Sequence, residues 1–206
     1  MRELGGPIDL KSGSGVARFI AVDGLDGCGK DTHALRILHL LEDRGDGAII
    51  ISHPSTRRFG RLAKKSLQGK GKMARLGATL FYIADVLVSV RWLKRQKSGT
   101  VIFVRYLMGA AYLPKSLAPV GYGFFRKLLR FPDLAIFIDI EPEIALRRIQ
   151  ARDHTREMFE DLEKLRSVRE VAKSLLADEW VVIDNSVDGE APFEELEKVL
   201  RSRGVI

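Results

Sequence analysis

Gly24-Leu25-Asp26-Gly27-Cys28-Gly29-Lys30-Asp31 follows a short apolar run, Phe19-Ile20-Ala21-Val22, and precedes Ala34, Ile37, Leu38 and Leu41 at helical spacing. The stretch sits between a strand and a helix, where a phosphate-binding loop belongs. Gly24, Gly29 and Lys30 stand at the Walker A spacing. Glycines let the backbone curl until its N–H groups face phosphate oxygens. The helix that follows adds the positive end of its dipole. Lys30 brings a flexible positive charge. One position departs from the motif: Asp31 stands where a Ser or Thr hydroxyl ordinarily ligates Mg²⁺. An ordinary Gly-rich turn with Asp31 as a helix cap is the rival reading.

Composition bounds the rest. The chain of 206 residues is long enough for one α/β domain and short for two. Apolar content of 46% and charged content of 30% are ordinary for a soluble globular protein. A net charge of +7 favours an anionic ligand. The basic residues are spread along the chain with no basic arm, which favours phosphates over nucleic acid. The single Cys28 excludes an internal disulfide and fits a reducing, cytoplasmic compartment. At a helix start its thiol could be acidified, but a small filler is the preferred reading. No residues have zinc-ligand spacing. The apolar stretch 80–90 contains Asp85 and is short for a membrane span.

Taken in order, residues 1–16 are Gly- and Ser-rich and read as a mobile tail, with 17–206 as one domain. Strands are expected over 18–23, 48–51, 101–104, 134–138 and 180–183. Helices are expected over 30–44, stopped by Gly45, then 60–68, 74–97, from Pro142, to about 177, and from Pro192. In the long helix, Leu76, Leu80, Ile83, Leu87 and Val90 form one face, and Phe81, Asp85, Val88 and Trp92 an adjacent one. Residues 105–125 read as irregular because of Gly109, Pro114, Pro119, Gly121 and Gly123. Five apolar strands separated by helices imply a parallel sheet covered on both faces. Its ligands bind at the carboxyl ends of the strands, where Lys30, the Pro54 segment, Arg105 and Glu141 fall.

In order and spacing these elements resemble the thymidylate kinase family over most of residues 17–200. The loop with Asp26 and Thr32, Pro54 followed by Gly60, and Leu80-Phe81-Tyr82-Ile83-Ala84 carry the resemblance. So do the strand ending in Arg105-Tyr106, Pro132-Asp133-Leu134 through Asp139, Pro142-Glu143-Ile144-Ala145-Leu146, the stretch 157–166, and Val181-Val182-Ile183-Asp184. The resemblance implies a P-loop nucleoside monophosphate kinase fold, a three-layer α/β sandwich with strand order 2-3-1-4-5 and a short helical lid. It implies transfer of the ATP γ-phosphoryl group to dTMP or another nucleoside monophosphate, with Mg²⁺.

The family pattern also implies roles. Gly24, Leu25, Asp26, Gly27, Cys28, Gly29, Lys30, Asp31 and Thr32 would form the ATP loop. Asp26 would meet the acceptor sugar and Phe81 would stack on its base. Arg105 would hold the acceptor phosphate, with Tyr106 closing over it. The family uses an Arg in the P-loop or the lid on the transferring phosphoryl. Gly27 occupies the loop position, so Arg152 and Arg156 of the lid are the candidates. Phe81 also fits plain core packing, Arg105 a strand end, and the lid arginines a solvated face.

Three departures shape the expectations. Asp31 replaces the metal-binding hydroxyl and Val104 the carboxylate of the strand motif, so Asp31 is the candidate metal ligand. Asp85 replaces the Arg that the family uses on the base. Facing the base directly, it would favour an edge with an amino donor, such as cytosine or guanine. Paired instead with Arg57 or Arg58, it would leave that Arg to contact thymine. A second functional reading is a nucleotide-binding protein that has lost catalysis and acts through a partner. A third, a nucleic-acid-binding module, is disfavoured, and a homodimer is left open.

Overall fold

The computed structural model describes residues 17–69, 71–151 and 161–206. Its strands are β1 (Arg18–Gly24), β2 (Ala48–Ser52), β3 (Thr100–Val104), β4 (Leu134–Asp139) and β5 (Trp180–Asp184). All pair in parallel in the order β2-β3-β1-β4-β5. Every residue of β3 and of β4 is buried, whichever face it points to. That pattern requires helices on both faces of the sheet. β2 is half-buried because it forms an edge of the sheet.

The helices among the described residues are α1 (Lys30–Asp43), α2 (Arg58–Leu67), α3 (Lys72–Leu93), α4 (Ala118–Leu128), α5 (Pro142–Gln150), α6 (Leu162–Leu175) and α7 (Ala191–Ser202). Gly45 ends α1 as expected. It adopts φ 77°, its N–H bonds to the Glu42 carbonyl, and Asp46 N–H bonds back to Leu41. α3 stops at Leu93, four residues short of expectation, and the chain turns back through Gln96, whose N–H bonds to the Leu93 carbonyl.

Two sequence readings need correction. The irregular stretch contains a 3-10 helix, Met108–Tyr112, and most of α4. Pro119 does not break α4 because it lies in the first turn, where no helical partner for its nitrogen is required. In α3 the inward face is Ala78, Asp85, Val86, Ser89, Val90 and Leu93, while Leu76, Leu80 and Leu87 are exposed. α3 is apolar nearly all round, so periodicity could not pick its face. The residues that settle it are the polar Asp85 and Ser89, which turn inward to bond partners. By length and composition alone the helix could cross a membrane. Here its Asp85 side is spent on the core.

Candidate active site

The P-loop leaves β1 at Gly24 and enters α1 at Lys30. Three of its glycines take conformations that L side chains avoid: Gly24 at φ 154°, Gly27 at 78° and Gly29 at 87°. At Gly27 there is also no room. A Cβ there would lie 2.6 Å from the Ala145 carbonyl oxygen of α5. An arginine at this loop position is therefore incompatible with this backbone. Asn185, just past β5, braces the loop by donating from Nδ2 to the Cys28 carbonyl at 2.7 Å. Cys28 is fully buried, and burial pushes its thiol pKa up. It is the filler that was expected, with no acidified thiolate.

Lys30 is 2% exposed and its Nζ donates to the Leu25 carbonyl at 2.7 Å, with the Asp26 carboxylate 3.6 Å away. Arg105 directly follows β3 and donates from Nη2 to Asp26 Oδ1. Tyr112 donates to Asp26 Oδ2 at 2.9 Å. Burial opposes ionisation of Asp26, but the charges of Arg105 and Lys30 and these hydrogen bonds hold its pKa well below the carboxylate range. Lys30 and Arg105 thus converge on one ionised carboxylate at the carboxyl end of the sheet.

Arg105 has φ 59°, the one positive value among the described non-glycine residues. Such a conformation is costly and persists only where surroundings impose it. Here the next three residues are pinned by Asp23. Its carboxylate accepts the N–H groups of Tyr106 at 2.7 Å, Leu107 at 3.0 Å and Met108 at 3.3 Å. Asp23 is 1% exposed, and burial raises its pKa against the pull of those bonds.

Tyr106 does not close over the site. Its ring lies edge-on to Phe19 and Phe103 in the core, and its hydroxyl donates to the Arg130 carbonyl at 2.9 Å. Arg105 and Tyr106 leave the strand in opposite directions, so only the arginine reaches the site. The aromatic hydroxyl there belongs to Tyr112.

The loop after β2 runs from His53 to Arg57. It lies against α2 at Gly60, where a Cβ would come within 2.1 Å of the Ser55 carbonyl oxygen. Only glycine permits that approach, which explains the Pro54 to Gly60 spacing. Asp85 does not face a base. It is fully buried and accepts from Ser55 N–H at 2.7 Å, Ser55 Oγ at 2.6 Å and Arg57 Nη2 at 3.2 Å. The direct-contact reading is thereby replaced by the pairing with Arg57. Arg57 also donates through Nε to Ser55 Oγ at 3.0 Å and through Nη2 to Ser89 Oγ. Phe81, one turn before Asp85, is half-buried.

Asp31 is exposed in the first turn of α1. Val104 is fully buried between Val22 and Ser52. Arg152 and Arg156 lie outside the described residues. Several residues of the site escaped the sequence reading: Asp23, His53, Tyr82, Ser89, Tyr112 and Asn185. The available signal was position, since Asp23, His53 and Asn185 all lie at or just past strand carboxyl ends.

Comparison with known proteins agrees with this geometry. The family model described as thymidylate kinase matches residues 22–198. The chain belongs to the thymidylate kinase family. Relatives of this family include the probable thymidylate kinase of Archaeoglobus fulgidus, 32% identical over 89% of this chain and 95% of that one. Another is the probable thymidylate kinase of Pyrobaculum aerophilum, 33% identical over 82% and 88%. The structure of thymidylate kinase from Candida albicans superposes with a TM-score of 0.74 over 92% of this chain and 93% of that one. At 18% identity the likeness shows the shared P-loop kinase fold. The sheet order expected from the resemblance is the order observed.

Proposed function

We propose that this thymidylate kinase family member transfers the γ-phosphoryl group of ATP to the 5′-phosphate of dTMP, as a cytoplasmic enzyme. The observation that carries the reading is the convergence of Lys30 and Arg105 on Asp26. Each cation can exchange a protein oxygen for a phosphate oxygen: Lys30 from the Leu25 carbonyl to the donor, Arg105 from Asp26 to the acceptor. Asp26, released by Arg105 and still held by Tyr112, can then accept a hydrogen bond from the acceptor sugar. Phosphoryl transfer needs mainly such positioning and positive charge. By family resemblance, Arg152 and Arg156 supply the remaining charge, consistent with the crowding at Gly27.

The choice of dTMP rests on Arg57. The expectation of a donor-edge base depended on Asp85 facing the base as an acceptor. Its carboxylate is occupied by Ser55 and Arg57 instead. The polar group left to the base is then a guanidinium, a pure donor that suits the carbonyl edge of thymine. Phe81 would stack on the ring. Mg²⁺ would enter with ATP and offset phosphate charge. Among the described residues no three His, Cys, Asp or Glu side chains form a metal cluster. Mg²⁺ needs only one or two carboxylates beside waters and phosphates. Asp31 fits that demand, because it is exposed at the helix start, whereas Asp23 is spent on three N–H groups. A homodimer through the outward Leu76, Leu80 and Leu87 of α3 belongs to the same proposal, and sedimentation velocity tests it.

The discriminating experiment mixes equimolar dTMP, dCMP, dGMP, dAMP and their ribose counterparts with limiting ATP and Mg²⁺. Products are resolved by chromatography. Thymidine diphosphate should dominate, and preferential use of a cytosine or guanine nucleotide would reject the Arg57 reading.

A further inference from the structure

His53 and Ser89 join the two arginines of the acceptor site through an unbroken hydrogen-bonded chain. Arg57 Nη2 donates to Ser89 Oγ. Ser89 Oγ and His53 Nε2 are 2.7 Å apart, and His53 Nδ1 lies 3.1 Å from the Arg105 carbonyl oxygen. A carbonyl only accepts, so Nδ1 carries the proton and Nε2 accepts from the serine, whose other acceptor within reach, the Asp85 carbonyl, is farther away at 3.2 Å. Each donor in the series therefore points the same way, from Arg57 through Ser89 and His53 to Arg105. Bonds aligned in this manner polarise and strengthen one another. The middle members are sealed from solvent, with Ser89 0% and His53 1% exposed.

The chain ends on the backbone that needs holding. The Arg105 carbonyl belongs to the residue at φ 59°, and it accepts a second bond from the Tyr82 hydroxyl at 3.0 Å. That conformation aims the guanidinium at Asp26. At the other end, Asp85 clamps Ser55 and Arg57, which sets where Arg57 stands.

We propose that His53 and Ser89 are positioning residues that couple Arg57, at the base, to the backbone of Arg105, at the acceptor phosphate. Neither touches substrate. Their effect is that an acceptor seated against Arg57 stabilises the setting of Arg105, and the reverse by linkage. The inference rests on the acceptor site assigned under the proposed function.

The test is calorimetric binding of dTMP and of ATP to the intact protein and to Ser89→Ala, His53→Asn and His53→Leu, with unfolding midpoints recorded for each. Ser89→Ala should weaken dTMP binding about tenfold, as expected for loss of a buried hydrogen bond to a charged group, while ATP affinity stays within about twofold. His53→Asn keeps an N–H near the Nδ1 position and should recover part of what His53→Leu loses. Arg57→Ala and Arg105→Lys should be non-additive for dTMP affinity in the parent and additive in the Ser89→Ala background, since the bridge between them is then cut. A Ser89→Ala protein that binds dTMP like the parent, or equal non-additivity in both backgrounds, would overturn the coupling. A parent that binds ATP but no nucleoside monophosphate would remove the acceptor-site reading itself, and the coupling with it.

Discussion

Truncating Asp85 to alanine strips the acceptor loop of its anchor, and the size of the loss follows from the contacts. The carboxylate is fully buried and accepts two bonds from Ser55 and one from Arg57. Asp85→Ala leaves the Ser55 N–H without a carboxylate and Arg57 without a counter-charge. Removing one partner of a buried ion pair costs about 3–5 kcal/mol. The Arg57 side chain keeps 23% of its exposure, so water recovers part of its share. We therefore expect about 3 kcal/mol, which for a chain of this size lowers Tm by about 6–12 °C. Asp85→Asn keeps an acceptor oxygen and should lose roughly half as much. Asp85→Arg restores the residue type that the family uses on the base, yet it should lower kcat/KM for dTMP by about tenfold or more, because it sets two guanidinium groups against each other. Urea and thermal unfolding give the stability terms, and steady-state rates with dTMP give the third. An Asp85→Ala protein within about 1 kcal/mol of the parent, or an Asp85→Arg protein that gains activity on dTMP, would show that the carboxylate does not hold this loop.

Three further outcomes follow from the site. Lys30→Ala should cut turnover by about 10²-fold or more with little change in Tm, since Asp26 keeps Arg105 and Tyr112; activity within a few-fold of the parent would place the donor elsewhere. Asp31→Thr should flatten the Mg²⁺ dependence of ATP affinity, measured by titration at several metal concentrations, because the parent loop carries a negative charge that only the metal offsets; an unchanged slope would make Asp31 a helix cap. Burial, with Arg57 adding to it, holds the His53 pKa down to about 4 from 6.5. The native protein thus stays neutral at His53 while the unfolded chain takes up a proton below pH 6.5. The parent should lose up to about 3 kcal/mol relative to His53→Asn between pH 6.5 and 4; parallel urea midpoints for the two proteins would contradict this.

What was legible in the sequence is what local pattern encodes. The P-loop and the five strands rest on short motifs and apolar runs, and Gly45 and Pro142 mark helix ends by chemistry that neighbours do not alter. α4 was hidden because Pro119, Gly121 and Gly123 read as breakers, although the proline sits in the first turn. The inward face of α3 was ambiguous because apolar residues surround the helix. Tyr106 was placed in the site by its motif neighbour Arg105, but the core claimed its ring. The polar groups that organise the site find partners far along the chain. Tyr112 meets Asp26 across 86 positions, His53 meets Arg105 across 52, and Asn185 meets Cys28 across 157. No periodicity records such pairs, so they had to come from the folded chain. Asp85 shows the intermediate case: its chemistry as an acceptor was readable, and its pairing with Arg57 was one of two open alternatives until the burial of α3 decided between them.

The most direct test of the central claim is the initial rate of thymidine diphosphate formation from dTMP, ATP and Mg²⁺ by the purified protein, with Lys30→Ala and Arg105→Ala run alongside. The arrangement of Lys30, Arg105 and Asp26 predicts steady turnover by the parent and its collapse in both variants. ATP binding without phosphoryl transfer to dTMP or any other nucleoside monophosphate would contradict it.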